Sequence, residues 1–102
     1  MTRTVYIDYG GTLDTVTPAE AWHLYARLRV ASWRPQCWSA APEGVPAEWA
    51  AIVKDLHLLE PGDVMVDDDV QMLRCARRGG FRGIAARDLL RLPELLKEEG
   101  GK

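Results

Sequence analysis

Two short, apolar, β-rich runs each stop at an aspartate: Thr4-Val5-Tyr6-Ile7 at Asp8, and Val64-Met65-Val66 at Asp67. A run of this length with no polar face belongs inside a sheet covered on both sides, where parallel strands occur. Parallel neighbours need a long crossover, and the stretch after each run supplies one. Tyr9-Gly10-Gly11-Thr12 is turn chemistry, and Thr17-Pro18-Ala19-Glu20 then carries the N-cap, first-position proline and first-turn acid of a helix start. The helix is expected to run to about Ala31. Ala21, Trp22, Leu24, Tyr25, Leu28 and Val30 would face the sheet, with Glu20, Arg27 and Arg29 toward water.

The rest of the chain continues this alternation. Gln36 to Ser39 reads as a second strand between two helical segments, and Pro46-Ala47-Glu48 as the opening of a helix through Trp49, Ile52, Val53 and Leu56. Pro61-Gly62 breaks the chain before the third strand, Asp63 to Asp67. Val70 to Arg78 is helical and closed by Gly79-Gly80 as a left-handed cap, Phe81 to Ala86 is a fourth strand, and a helix over Leu89 to Glu99 is interrupted at Pro93. The expected fold class is α/β, a Rossmann-like three-layer sandwich with about four parallel strands and the Asp8 strand central. One domain would span 1–99, with 100–102 as a flexible tail. In such sheets ligands bind beyond the carboxyl ends of the strands, where Asp8, Asp67 and Asp68 fall.

Composition removes several function classes. With 102 residues there is room for one compact domain. Thirteen basic against fifteen acidic side chains lack the footprint of a general nucleic-acid binder. Arg74, Arg77, Arg78, Arg82, Arg87 and Arg91 read as a solvated face balanced by Glu94, Glu98 and Glu99, although a nucleic-acid end would suit them. No apolar run approaches the roughly 18 residues of a membrane span, and the amino terminus enters a strand directly, so a soluble cytoplasmic chain is expected. Cys37 and Cys75 have no zinc-site spacing and read as reduced, buried thiols. His23 and His57 lack metal or triad partners and read as structural. The four tryptophans read as core, with one or two left over to anchor an interface.

Carboxylates gathered at one end of a parallel sheet repel one another unless a cation lies among them, and hard oxygen donors suit Mg²⁺. Gly10, Gly11 and Thr12 would add backbone N–H groups and a hydroxyl for phosphate oxygens. Together these point to phosphoryl chemistry, which needs a nucleophile, charge neutralisation and positioning. Aspartates after strands are also turn formers and helix caps, and Asp69 reads as the cap of the Val70 helix.

The segments Val5-Tyr6-Ile7-Asp8-Tyr9-Gly10-Gly11-Thr12-Leu13 and Asp63-Val64-Met65-Val66-Asp67-Asp68 resemble the first and last acidic motifs of the haloacid dehalogenase-like (HAD) hydrolases. Leu73, Cys75-Ala76 and Gly79-Gly80-Phe81 extend the second match. Most members of that family are magnesium-dependent phosphatases that work through a phospho-aspartyl intermediate. The resemblance implies Asp8 as nucleophile and metal ligand, the Gly10 carbonyl as a backbone ligand, and Asp67 and Asp68 as further ligands. Gly11, Thr12 and Ser39 would bind phosphate. It also implies a capless, open site, a phosphorylated substrate that is small or macromolecular, and a second copy or partner protein as lid.

Three departures stand out. Gly10 replaces the family's acid/base Asp, a loss of roughly 10²–10⁴-fold for general acid–base catalysis. Met72 stands where relatives carry Asp or Asn. The phosphate-neutralising Lys is missing from its usual neighbourhood, which Glu43 and Gly44 occupy; Lys54 reads as a surface lysine, and Arg34 is an alternative cation. The family's third strand is also missing from the expected layout. Two readings follow: a weakly active phosphohydrolase, or a degenerate relative that binds a partner or phosphorylated ligand without efficient turnover. A phosphoacceptor receiver module, which would need five strands and a Lys after the last, is disfavoured by Gly11-Thr12-Leu13 after Asp8.

Overall fold

The computed structural model describes residues 2–100, side chains of 98–100 excepted; most of the expected tail, 101–102, lies outside the described residues. Five strands, β1 (Arg3–Asp8), β2 (Trp33–Ser39), β3 (Ile52–Val53), β4 (Val64–Asp67) and β5 (Arg82–Ala85), form one parallel sheet in the order β3-β2-β1-β4-β5. Three α-helices accompany them: α1 (Pro18–Val30), α2 (Val70–Arg78) and α3 (Leu92–Gly100).

Period-two alternation in the strands divides the core. Val5, Ile7, Val64 and Val66 pack with Leu24, Tyr25 and Leu28 of α1 and Leu92 and Leu96 of α3. Tyr6, Trp38 and Met65 point the other way, under Leu73 and Ala76 of α2, with Tyr6 and Trp38 stacked at 4.5 Å. Helices therefore cover both faces, as apolar strands require.

Local signals hold where backbone chemistry is explicit. Thr17 Oγ1 accepts the Glu20 N–H at 3.1 Å, while Glu20 Oε1 accepts the Thr17 N–H at 2.9 Å, closing a capping box at α1. Asp69 Oδ1 accepts the Gln71 N–H and caps α2. Gly80, not Gly79, takes the left-handed conformation (φ +87°) after α2.

Five strands replace the expected four. The helix expected from Pro46 is a single 3₁₀ turn, Ala47–Trp49, stopped by Ala50 in the left-handed region (φ 48°). The Gln36 side-chain amide donates to the Ala50 carbonyl at 3.0 Å, fastening this stop to β2. Beyond it the β-branched pair Ile52-Val53 joins the sheet edge as β3, and a second 3₁₀ turn, Leu56–Leu58, follows. Strand β2 also begins earlier than expected and contains Pro35. Because β3 pairs only with Trp38 and Ser39, Pro35 lies at an open edge, where a residue without an N–H is tolerated.

Other differences are local. Pro93 does not interrupt the last helix: Ala86–Arg91 is a 3₁₀ segment, and Pro93 stands in the first turn of α3, where its missing N–H costs nothing. The buried stripe of α1 is the strict i, i+3, i+4, i+7 set Ala21, Leu24, Tyr25 and Leu28, which leaves Trp22 and Val30 exposed. Cys37 is buried but Cys75 lies on the exposed side of α2, and both are free. No helix among the described residues is long and apolar enough to cross a membrane.

The capping box generates a measurable expectation. Thr17→Ala should lower stability by about 1 kcal/mol, read as an earlier urea midpoint with an unchanged slope.

Candidate functional site

Strand order reverses at β1: the chain moves outward through β2 and β3, then returns to the other side as β4. Register pairs Ile7 with Val66, so Asp8 and Asp67 stand one step further along adjacent strands, with the same parity as Tyr6 and Met65. Both aspartates are buried, while Asp68, the first residue past β4, is exposed. One carboxylate oxygen from each of Asp8, Asp67 and Asp68 lies within 4.8 Å of the others.

Lys54 holds this cluster together. Its Nζ lies 2.7 Å from Asp8 Oδ1 and 2.8 Å from Asp67 Oδ2. The lysine is placed by β3: its N–H donates to the Ser39 carbonyl at 2.9 Å, continuing the β2–β3 ladder past Val53. Thr12, fully buried, donates its hydroxyl to Asp8 Oδ2 at 3.3 Å, so both Asp8 oxygens are engaged. Asp67 Oδ1 accepts the Asp69 N–H at 2.9 Å.

The glycines have different roles. Gly11 is left-handed (φ +77°), and a β-carbon there would run into the Asp68 carboxylate, so only glycine lets the β1 turn approach Asp68. Its N–H donates to Asp14 Oδ1 at 2.8 Å, within the turn. Gly10 has open space where a side chain would project. Ser39 sits at the end of β2, but its hydroxyl accepts the Ala41 N–H at 3.1 Å rather than bonding the acids.

Lys54 is the residue that the sequence reading missed. Placed on a helix, it reads as a surface lysine; in the sheet it is the central cation. The available signal was Ile52-Val53, a β-branched pair directly before one of only three lysines in the chain. Arg34 is not that cation, because its Nε donates to Thr4 Oγ1 near the opposite end of the sheet. Met72 is half-buried against the α2-side core and contributes packing. His23 and His57 are exposed, and among the described residues His57 pairs with Asp55.

Electrostatics follow from burial and charge count. Burial raises the Asp8 pKa to about 6; the hydrogen bond from Lys54 opposes that rise, and the Asp67 charge adds to it. Burial lowers Lys54, but its hydrogen bonds to Asp67 and Asp8 outweigh this and hold it above its usual value. Burial and the Asp8 charge push the Cys37 thiol up to about 11, so it stays protonated and is no nucleophile. Three carboxylates against one ammonium leave two negative charges, the charge of one divalent cation. The all-oxygen donor set fits Mg²⁺ or Ca²⁺, and Asp68 has no ion pair among the described residues.

Asp67 and Asp68 of the cluster line a cleft of about 180 Å³ together with Val70, Leu73, Ala85, Ala86 and Arg87. A larger hollow, about 630 Å³, lies near the amino ends of β1 and β2 against Arg3, Val30, Trp33 and Leu96. It is more spacious, but the acids and their lysine are not there. No family model, curated protein or solved structure matches this chain.

The raised Asp8 pKa fixes the sign of a pH effect. Between about pH 4 and 6 the folded chain retains a proton that the unfolded chain releases, so stability falls as pH rises through that window. Asp8→Asn should remove this slope and raise the unfolding midpoint at pH 7.5, checked by urea titrations across pH 4–8.

Proposed function

We propose that the chain is a magnesium-dependent phosphohydrolase, a capless HAD-like protein on a Rossmann-like sheet, acting through an aspartyl-phosphate on Asp8. The observation that carries this reading is the Lys54 ammonium bridging Asp8 and Asp67 beside Asp68, at the carboxyl edge where strand order reverses. It supplies the phosphate-neutralising cation that the family resemblance requires, and β3 supplies the third strand. Two free thiols fit the reducing cytoplasm.

Each residue then has a task. Asp8 attacks phosphorus, forming its own carboxyl–phosphate bond as the bond to the leaving oxygen breaks. Lys54 keeps Asp8 ionised and lies where charge accumulates on the phosphoryl group. The Thr12 hydroxyl fixes the second Asp8 oxygen. Asp8, Asp67, Asp68 and the Gly10 carbonyl would hold Mg²⁺, which when bound supplies charge neutralisation for the phosphate. Gly11 N–H and Ser39 hydroxyl are the further phosphate donors, each released from its present partner, Asp14 or the Ala41 N–H. Water then cleaves the acyl phosphate and frees Asp8.

Gly10 defines the limit of this chemistry. No side chain there protonates the leaving oxygen, so substrates with stable leaving groups, such as aryl phosphates, should react best. The same feature favours a second reading, a degenerate relative that binds phosphorylated ligands or a partner with little turnover. The open cleft suits a macromolecular substrate or a second chain as its lid.

Purified protein should hydrolyse an aryl phosphate with magnesium and not with chelator, and Asp8→Asn should abolish the reaction. Gly10→Asp fits the open space beside Gly10 and should raise the rate by about 10²-fold. Wild-type turnover unchanged in Asp8→Asn would sink the enzymatic reading. No turnover together with retained binding of inorganic phosphate would establish the degenerate one.

A further inference from the structure

We infer that Arg87 selects substrates whose leaving group carries a second anion, a carboxylate or another phosphate. This selectivity rests on the phosphohydrolase reading of the same site. Register pairs Asp67 of β4 with Ala85, the last residue of β5, so Ala86 and Arg87 leave the sheet at the edge that holds the acids. Arg87 lines the cleft with Asp67 and Asp68, and the buried Leu89 pins its 3₁₀ segment to the core.

Arg27 pairs with Glu94, Arg91 with Asp88, and Arg77 donates to the Gly83 carbonyl. Arg87 makes no ion pair or hydrogen bond among the described residues, although Asp68 lines the same cleft. Arg29, Arg74 and Arg78 also lack an ion pair among the described residues, but Arg87 is the arginine that lines the acidic cleft. An exposed guanidinium beside an acidic cluster offsets the repulsion that an anionic leaving group would meet there, and its planar fork fits carboxylate or phosphate. The remaining walls, Val70, Leu73, Ala85 and Ala86, suit a short aliphatic spacer. A cleft of about 180 Å³ holds a group of modest size.

Calorimetry on the full chain with magnesium would compare phosphonopropionate, which carries phosphonate and carboxylate, with propylphosphonate, which lacks the carboxylate. Wild type should prefer phosphonopropionate. Arg87→Gln should reduce that preference about tenfold, and Arg87→Lys should restore part of it. Equal binding of the two ligands by wild type, binding of neither, or an equal loss of both in Arg87→Gln would overturn the assignment. Aryl phosphate turnover by wild type tests the phosphohydrolase reading separately and can fail while the ligand preference persists.

Discussion

The ammonium of Lys54 lies between two carboxylates that the sheet forces together. Parallel pairing of β1 with β4 puts Asp8 beside Asp67 with both side chains buried, and without a cation one of them would have to take up a proton. A single positive charge shared by both makes the arrangement tenable at neutral pH, yet leaves the cluster with surplus negative charge. Buried ion pairs are weak evidence for stability, because desolvation consumes much of their Coulombic gain. The raised pKa of Asp8 is the residue of that imbalance.

The rest of the architecture serves this placement. Lys54 reaches the acids because β3 fastens its backbone to the end of β2, and β3 exists because Ala50 stops the preceding turn. The left-handed Gly11 lets the β1 turn crowd against Asp68, drawing the third carboxylate within reach of the other two. On the opposite face of the sheet, α1 and α3 complete a second core, so the acidic edge is carried by a framework stabilised elsewhere.

Much of this was legible in the residues. The apolar runs ending at Asp8 and Asp67, the Thr17 capping box and the Asp69 cap all state their conformation within a few neighbouring positions, and the structure contains each. That Asp8 and Asp67 lie at the same edge followed from parallel topology, since parallel strands all end on one side of the sheet; that they are neighbours came from the pairing of β1 with β4. The stretch from Pro46 to Leu58 was misread because Pro-Ala-Glu followed by spaced apolar residues satisfies helix rules locally. Contacts distant in sequence decide otherwise there: Trp49 stacks on Trp22 of α1 at 4.2 Å, and Gln36 of β2 holds Ala50.

The sequence by itself therefore determined the α/β class, the central place of the Asp8 strand and the identity of the acids, because those depend on periodicity, caps and strand ends. Only the tertiary structure decided that the sheet has five strands, that Lys54 rather than Arg34 is the site's cation, and that Arg87 borders the cleft. Those outcomes depend on which segments meet across the sheet, and a lysine shows its electrostatic role only when the carboxylates it neutralises are in place.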